Sequence, residues 1–440
     1  MTSQPGETTL IRARWIIPVT PRGVTLEHHA LVMRAGAILD VLPAPAAFAQ
    51  YPDARLVDLA DHVLIPGLIN LHTHAAMSLM RGLADDLPLM TWLKEHIWPA
   101  EGRVMSAQFV QDGTLLACAE MLRGGVTCFN DMYFFPEAAA QAALQSRMRA
   151  ALGMIAVEFP SAYAAGAEEY LAKGMALRDA MRDEPLLSFC LAPHAPYSVS
   201  DATFERIATY ANELDVPVHT HVHETADEVD SSLKEHGMRP LERLRTLGLL
   251  SPGFIAVHGI HLTQDEIALL ALHGCHVAHC PTSNLKLASG LAPIAALTQS
   301  QVNIGLGTDS ASSNNRLDVL AEMRIAALLG KHGAADAAAF TAHHVLAMAT
   351  LHAARALGLD KAIGSLEKGK RADITAIRLD ALELSPCYDP ASHIAYAVGR
   401  EHVSHVWVDG ELRVDGGMIV DIDTAELIAR ANYWRGKLKP

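Results

Sequence analysis

Eight short apolar runs, spaced along the middle of the chain, most limit what it can fold into. They are LIPGLINLHTH (64–74), VTCFNDM (126–132), RAALGMIAV (149–157), LLSFCLAPHAP (186–196), VPVHTHVHE (216–224), FIAVHGI (254–260), CHVAHCPTS (275–283) and VNIGLGTDS (302–310). Each is rich in Val, Ile and Leu without clean alternation, as strands covered on both faces should be. Between them lie stretches with helical spacing, such as AQFVQDGTLLACAEMLRGG with its closing glycines. Eight β and α units in alternation predict an α/β fold, a parallel (β/α)8 barrel of the TIM type.

At 440 residues the chain is longer than such a barrel needs. Residues 8–60 carry short strand-like segments, TLIRARWIIPV and HALVMRAGAILDVLP. After residue 365 come LEKGKRADITAIRL and HVSHVWVDGELRVDGGMIVD, in which VDGELRVDG is a hairpin signal. The expected division is a small β-sandwich assembled from residues 1–63 and 366–440, the latter with a terminal helix, flanking a barrel over 64–365.

The formal charge of −14 is dispersed, with no basic block to follow a phosphate backbone or an anionic membrane. Nucleic acid and membrane surfaces are therefore poor partners. No run approaches the ~18 apolar residues of a membrane span, and no leader-like stretch opens the chain. The six cysteines are scattered through apolar segments, which fits free thiols in a reducing cytoplasm better than a disulfide framework. Cys275 and Cys280 lack a second pair and read as buried thiols, not as a zinc knuckle.

Barrels of this type carry their chemistry at the C-terminal ends of the strands. The first run ends with His72 and His74, two apart on one side of a strand, a half-site for a divalent metal. The fifth ends in HTHVHE (219–224), the sixth carries His258, the seventh His279 and the eighth Asp309. Histidines or carboxylates at five of eight strand ends are costly to bury without a metal or hydrogen-bond partners. The set predicts a metal site.

Taken together, PGLINLHTH, the HxxE within VHTHVHE, VHGIHL and GTDSASSN resemble the amidohydrolase superfamily in its purine and pyrimidine deaminase branch. The segments LMRGLADDLPLMTWLKEHIWPAE and CPTSNLKLASG are similar to those of 5'-methylthioadenosine/S-adenosylhomocysteine deaminases and their triazine-hydrolase relatives. The resemblance implies that His72, His74, His221 and Asp309 hold one Zn2+ per subunit, with Fe2+ an alternative. It assigns catalysis to Glu224, as proton shuttle, and to His258 with Asp309, which position the attacking water. Glu101 would meet the ribose hydroxyls and His194 the purine or ribose, with Glu224 and Asp309 also facing the substrate. The fourth run offers His194 where binuclear members carry a modified lysine, hence a single metal. The implied partner is a small nucleoside, and homo-oligomerisation is implied without a legible interface.

The chemistry makes compatible demands. Hydrolytic removal of a ring amine needs a nucleophile at neutral pH, which a metal ion provides by acidifying water. It also needs an acid for the ring nitrogen and the departing amine. Relatives that act on S-adenosylhomocysteine often carry an arginine after the third strand and another about a dozen residues on. Here RAALGMIAVEFPSAYAAG places Met154 at the first position and no arginine near the second. An aminoacyl carboxylate would lose its bidentate clasp, which favours 5'-methylthioadenosine and adenosine, with Met154 as a soft contact for a thiomethyl group. A triazine, guanine or pterin is the alternative substrate, on which a ribose-binding Glu101 would have no purpose.

The other histidines divide by depth. At ~3.3 Å per strand residue, His219 sits ~6.6 Å below His221, too deep to share a metal at ~2.1 Å. It reads as support from beneath, and His223 as a rim residue. His279 is equally readable as a contact behind the site or as a packed polar group. His261, His273 and His276 read as structural. Trp92 or Trp98 is expected on the pocket wall, Asp85–Asp86 in a turn or cap, and Ser310, Ser312 and Ser313 outside nucleophile chemistry. Strict alternation would aim Glu224 away from His221, so the strand must bend or end between them.

Overall fold

The structure is a computed structural model that describes residues 6–87 and 89–438. Eight parallel strands stand in sequence order around a barrel: β1 (Leu68–Thr73), β2 (Val126–Asp131), β3 (Arg149–Ala156), β4 (Leu187–Pro193), β5 (Val218–Val222), β6 (Phe254–His258), β7 (His276–His279) and β8 (Asn303–Leu306). Their side chains are buried almost without exception, the cause of the unalternating apolar runs. Between β8 and β1 the seam is made by groups at the catalytic end. Asp309 N donates to His72 O at 3.0 Å, and the Asn70 side chain exchanges two hydrogen bonds with Thr308, at 2.7 and 2.9 Å. A Cβ on Gly307 would lie 2.8 Å from that of His72, so only glycine admits this approach.

The termini build a second, eight-stranded sheet. Its order runs from Met418–Ile419 through Glu411–Asp415, Val403–Val408 and Ile374–Arg378 to Arg55–Pro66, then Thr9–Ile16, Leu26–Arg34 and Ala37–Pro43. It curls over a core that includes Leu31, Met33, Ile374 and Trp407, bringing Gly410 of one hairpin turn against Gly36 of another. The VDGELRVDG signal is that turn: Asp409 and Gly410 both take positive φ, 53° and 77°, the pair of values a type I' turn requires. The first apolar run proves to be two strands. Residues up to Pro66 pair in the terminal sheet, and at Gly67, where a Cβ would meet the Thr127 side chain at 2.1 Å, the chain enters the barrel.

Buried Arg149, at the base of β3, joins the two units through a bidentate pair with Asp373, at 2.9 and 3.1 Å. The C-terminal helix Thr424–Leu438 packs onto the barrel helix Ala107–Arg123, where Trp434 Nε1 donates to Asp112 Oδ2 at 2.8 Å. All six cysteines are free thiols. Among the described residues no helix is long and apolar enough to cross a membrane.

Candidate active site

At the catalytic end of the barrel, His72, His74, His221 and Asp309 converge, with one ligand atom from each lying within 4.8 Å of the others. Each imidazole is oriented from behind. His74 Nδ1 lies 2.6 Å from Met132 O, His221 Nδ1 lies 2.7 Å from His194 O, and His72 Nδ1 lies 2.9 Å from His219 Nε2. A carbonyl can only accept, so Nδ1 of His74 and of His221 carries the proton and Nε2 presents a lone pair.

Those lone pairs face one another. His72 Nε2 and His221 Nε2 are 3.2 Å apart, and Asp309 Oδ1 is 3.3 Å from Nε2 of both His72 and His74. Four ligands at ~2.1 Å around a tetrahedral ion are separated by roughly 3.4 Å. The donor set therefore fits a divalent metal in spacing and in chemistry, since a cluster of acceptors needs a cation between them. Burial pushes His72 down to about 4 and His221 well below the usual histidine range, whereas at His74 burial is outweighed by the Asp309 carboxylate, which raises it.

Asp309 is aimed by two hydroxyls. Ser283 Oγ and Ser313 Oγ donate to its Oδ2 at 2.6 and 2.8 Å, which leaves Oδ1 for the cluster. His258 is aimed similarly, its Nδ1 lying 2.8 Å from Asn284 Oδ1. Its Nε2 lies 3.8 Å from Glu224 Oε2. These aiming residues escaped the sequence reading, although GTDSASSN and CPTSN contain them. Their polar clustering beside the strand ends was the available signal.

The anticipated break in β5 lies at His223. The strand stops at Val222, and His223 takes φ 57°, which turns Glu224 to the pocket wall with His221. Backbone N–H groups of His223 and Glu224 donate to the two oxygens of Glu228, at 3.0 and 2.8 Å, holding the turn. His258 and Asp309 also take positive φ, 69° and 61°, a clustering of strained backbone typical of functional sites.

The expected rim position of His223 is wrong. Its ring is fully buried, with Nε2 at 3.1 Å from both Leu241 N and Glu266 Oε1, because the left-handed turn swings it inward to tie β5 to the helices beyond. Met154 needs the same correction as a substrate contact. It is fully buried and absent from the pocket wall, its side chain facing the barrel helices, where a Cβ on Gly174 would meet it at 2.7 Å. Its neighbours Ile155 and Val157 reach the pocket instead. His279 is buried with neither ring nitrogen partnered, and burial pushes it down to about 3.

Above the cluster opens a cavity of about 260 Å3 whose wall includes Trp92, Trp98, Glu101, His194, Glu224 and His258. The two tryptophans arrive on a π-helical turn, Trp92–Ile97, and the helix that follows it. Glu101 accepts from Tyr133 Oη at 2.6 Å. Burial raises the carboxyls of Glu101 and Glu224 above the ordinary range, and it drives His194 down to about 3. Asp85 lies in an irregular loop segment and not in a turn or helix cap, paired with Lys286 at 2.6 Å.

A buried His3Asp cluster at the mouth of a (β/α)8 barrel, with an acid and a histidine beside it, defines a metal-dependent hydrolase. The model of the amidohydrolase family matches residues 63–413. A 5-methylthioadenosine/S-adenosylhomocysteine deaminase of Saccharophagus degradans is 47% identical over 439 residues, 100% of this chain and 98% of that protein. Its namesake from Teredinibacter turnerae is 49% identical, covering 97% of this chain and 96% of its own. A crystal structure of an adenosine deaminase from Xanthomonas campestris with bound zinc superposes with a TM-score of 0.97 at 48% identity, covering 99% of both chains. The chain belongs to the amidohydrolase family and is a hydrolytic deaminase acting on carbon–nitrogen bonds.

Proposed function

We propose that the chain deaminates 5'-methylthioadenosine and adenosine to the corresponding inosines and ammonia, with one zinc ion per subunit held by His72, His74, His221 and Asp309. The observation that carries this reading is a pair of carboxylates, Glu224 and Glu101, on the wall of a pocket to which no Lys or Arg contributes among the described residues. One carboxylate suits proton transfer at the ring, and the other suits a diol. The zinc-bound relative supports the metal, which when present lowers the pKa of a water toward neutrality. Fe2+ fits the same donors.

The protein's own groups do the rest. Asp309 is held by two serine hydroxyls and takes the proton of the attacking water. His258, its Nδ1 committed to Asn284, presents Nε2 to that water and orients it. Glu224 binds its proton more firmly than an exposed glutamate, so it protonates the ring nitrogen next to the amine; the proton held by Asp309 then passes to the amine, which leaves as ammonia, and Glu224 recovers a proton from the hydroxyl as the carbonyl forms. Glu101, with one oxygen held by Tyr133, accepts from the ribose hydroxyls, and His194 lies against the nucleoside.

The test is a substrate screen with zinc-loaded enzyme: 5'-methylthioadenosine, adenosine, guanine and a triazine, followed by loss of ring absorbance and release of ammonia. Turnover of both nucleosides is expected. Activity confined to guanine or the triazine would transfer the site to the other substrate class. Glu224→Gln should lower kcat roughly 10²- to 10⁴-fold with zinc content unchanged.

A further inference from the structure

A second cavity, of about 420 Å3, adjoins the active-site pocket and shares Trp98, Glu101, Phe134 and Phe159 with it. Beyond these its wall is Gly102, Met105, Pro160, Ser161 and Ala162. The polar groups there are already engaged. Ser161 Oγ accepts from Tyr170 Oη at 2.6 Å and from Tyr163 N at 3.0 Å, and Glu101 accepts from Tyr133. No Lys or Arg lines the cavity among the described residues. Lys94, Lys234 and Arg243 line a separate trough, past Leu89, Tyr197 and Glu224. Phe159 and Trp98 are 46% and 38% exposed, large aromatic surfaces left uncovered at an apolar opening.

We infer that this annex is the binding site for the 5'-substituent of the nucleoside, and that it selects thioethers of adenosine with apolar S-substituents larger than methyl. The inference rests on the ribose role proposed for Glu101. That residue stands on the wall common to both cavities, and C5' is two bonds from C3' of the diol, so a 5'-group leaves the ribose at the annex entrance. Methyl fills little of such a space. Each further methylene removed from water should raise kcat/KM by about twofold to fourfold. A carboxylate of the same length enters a compartment without a counter-charge and must be desolvated unpaired, which should lower kcat/KM at least about tenfold.

The zinc-loaded full-length enzyme is assayed with adenosine, with the 5'-S-methyl, propyl and butyl thioethers, and with a thioether of butyl length ending in carboxylate. A rise from methyl to butyl with the carboxylate at least about tenfold below butyl supports the annex. A flat or falling series overturns it while leaving the deaminase reading intact. So does a carboxylate tail as good as butyl, which would place the tail beside Lys94. No turnover of any nucleoside overturns the functional reading and the annex with it. Phe159→Arg, at a half-exposed position that will keep the fold, places a cation at the annex. It should shift the carboxylate-to-butyl ratio upward by about tenfold or more, and an unchanged ratio would again overturn the assignment.

Discussion

Replacing His219 by leucine should weaken metal binding without altering the chemistry of the loaded enzyme. His219 and His72 are both fully buried, and their rings meet through Nδ1 of His72 and Nε2 of His219 at 2.9 Å. If His72 binds metal through Nε2, its Nδ1 carries the proton, and His219 must accept it. Leucine removes that acceptor and strands an N–H in a dry interior, which costs about 1–3 kcal/mol. That range is roughly 5- to 150-fold in affinity, and it brackets the 10- to 100-fold typical of losing a partner behind a metal ligand. Glutamine can put its amide oxygen near the former Nε2 and should lose less than about fivefold.

The assay is competition for zinc against a chromophoric chelator, followed by kcat at saturating zinc. A loss of about 10- to 100-fold in affinity for His219→Leu, with kcat retained, is the expected pair of results. Since His219 Nδ1 itself lacks a partner, the metal-free protein should not lose thermal stability beyond the ordinary effect of a core substitution. Zinc affinity within threefold of the parent would refute the argument, because His72 would then need nothing from His219. Equal losses for leucine and glutamine would also refute it, because the acceptor would not be the quantity that matters.

Other perturbations test separate parts of the structure. Asp373→Ala leaves the buried Arg149 guanidinium with Pro185 O at 2.9 Å and the longer contact to Asp409 Oδ1 at 3.4 Å, and should cost about 3 kcal/mol in urea unfolding; a loss under about 1 kcal/mol would mean that Asp409 takes over the pairing. Glu322 is buried, and its carboxyl is raised to about 7 from 4.5 by burial. The folded protein therefore holds that proton more tightly than the unfolded chain, so this group's contribution falls as pH rises from about 4.5 to 7, by about 3 kcal/mol in all. Relative to Glu322→Gln, the parent should lose that much stability across the window, and parallel curves would refute the assignment. Met154→Leu should change stability by less than about 1.5 kcal/mol and kcat/KM for 5'-methylthioadenosine by less than about twofold, which steady-state assay checks directly.

The barrel was legible because a strand buried on both faces has no choice but to be apolar throughout, and such runs can be counted. Gly67 was less visible. The run 64–74 reads as one strand, and only the Thr127 side chain, sixty residues on and pressed against Gly67, marks where one sheet ends and the other begins. Side-chain identity at strand ends was also legible, since a histidine or carboxylate there breaks the apolar pattern. Its direction was not. Alternation predicts which face a residue takes only while the strand continues.

That limit explains the correction at His223 and not the one at Met154. His223 follows the last residue of β5, where φ becomes positive, so the parity that places His221 at the cluster ceases to apply to the next two residues. Glu224 returns to the pocket and His223 goes inward. Met154 lies inside a strand that does continue, and alternation would have sufficed: Ile155 and Val157 share one parity and line the pocket, so Met154 must face away from it. The motif alignment pointed to the position, and strand geometry to its neighbours. Glu228 also shows why the break was foreseeable only as a requirement. The two N–H groups freed where the ladder stops need acceptors, and a carboxylate from the following helix supplies both. Remove Glu228, and the same turn would have to be held by water, with Glu224 no longer fixed against His258.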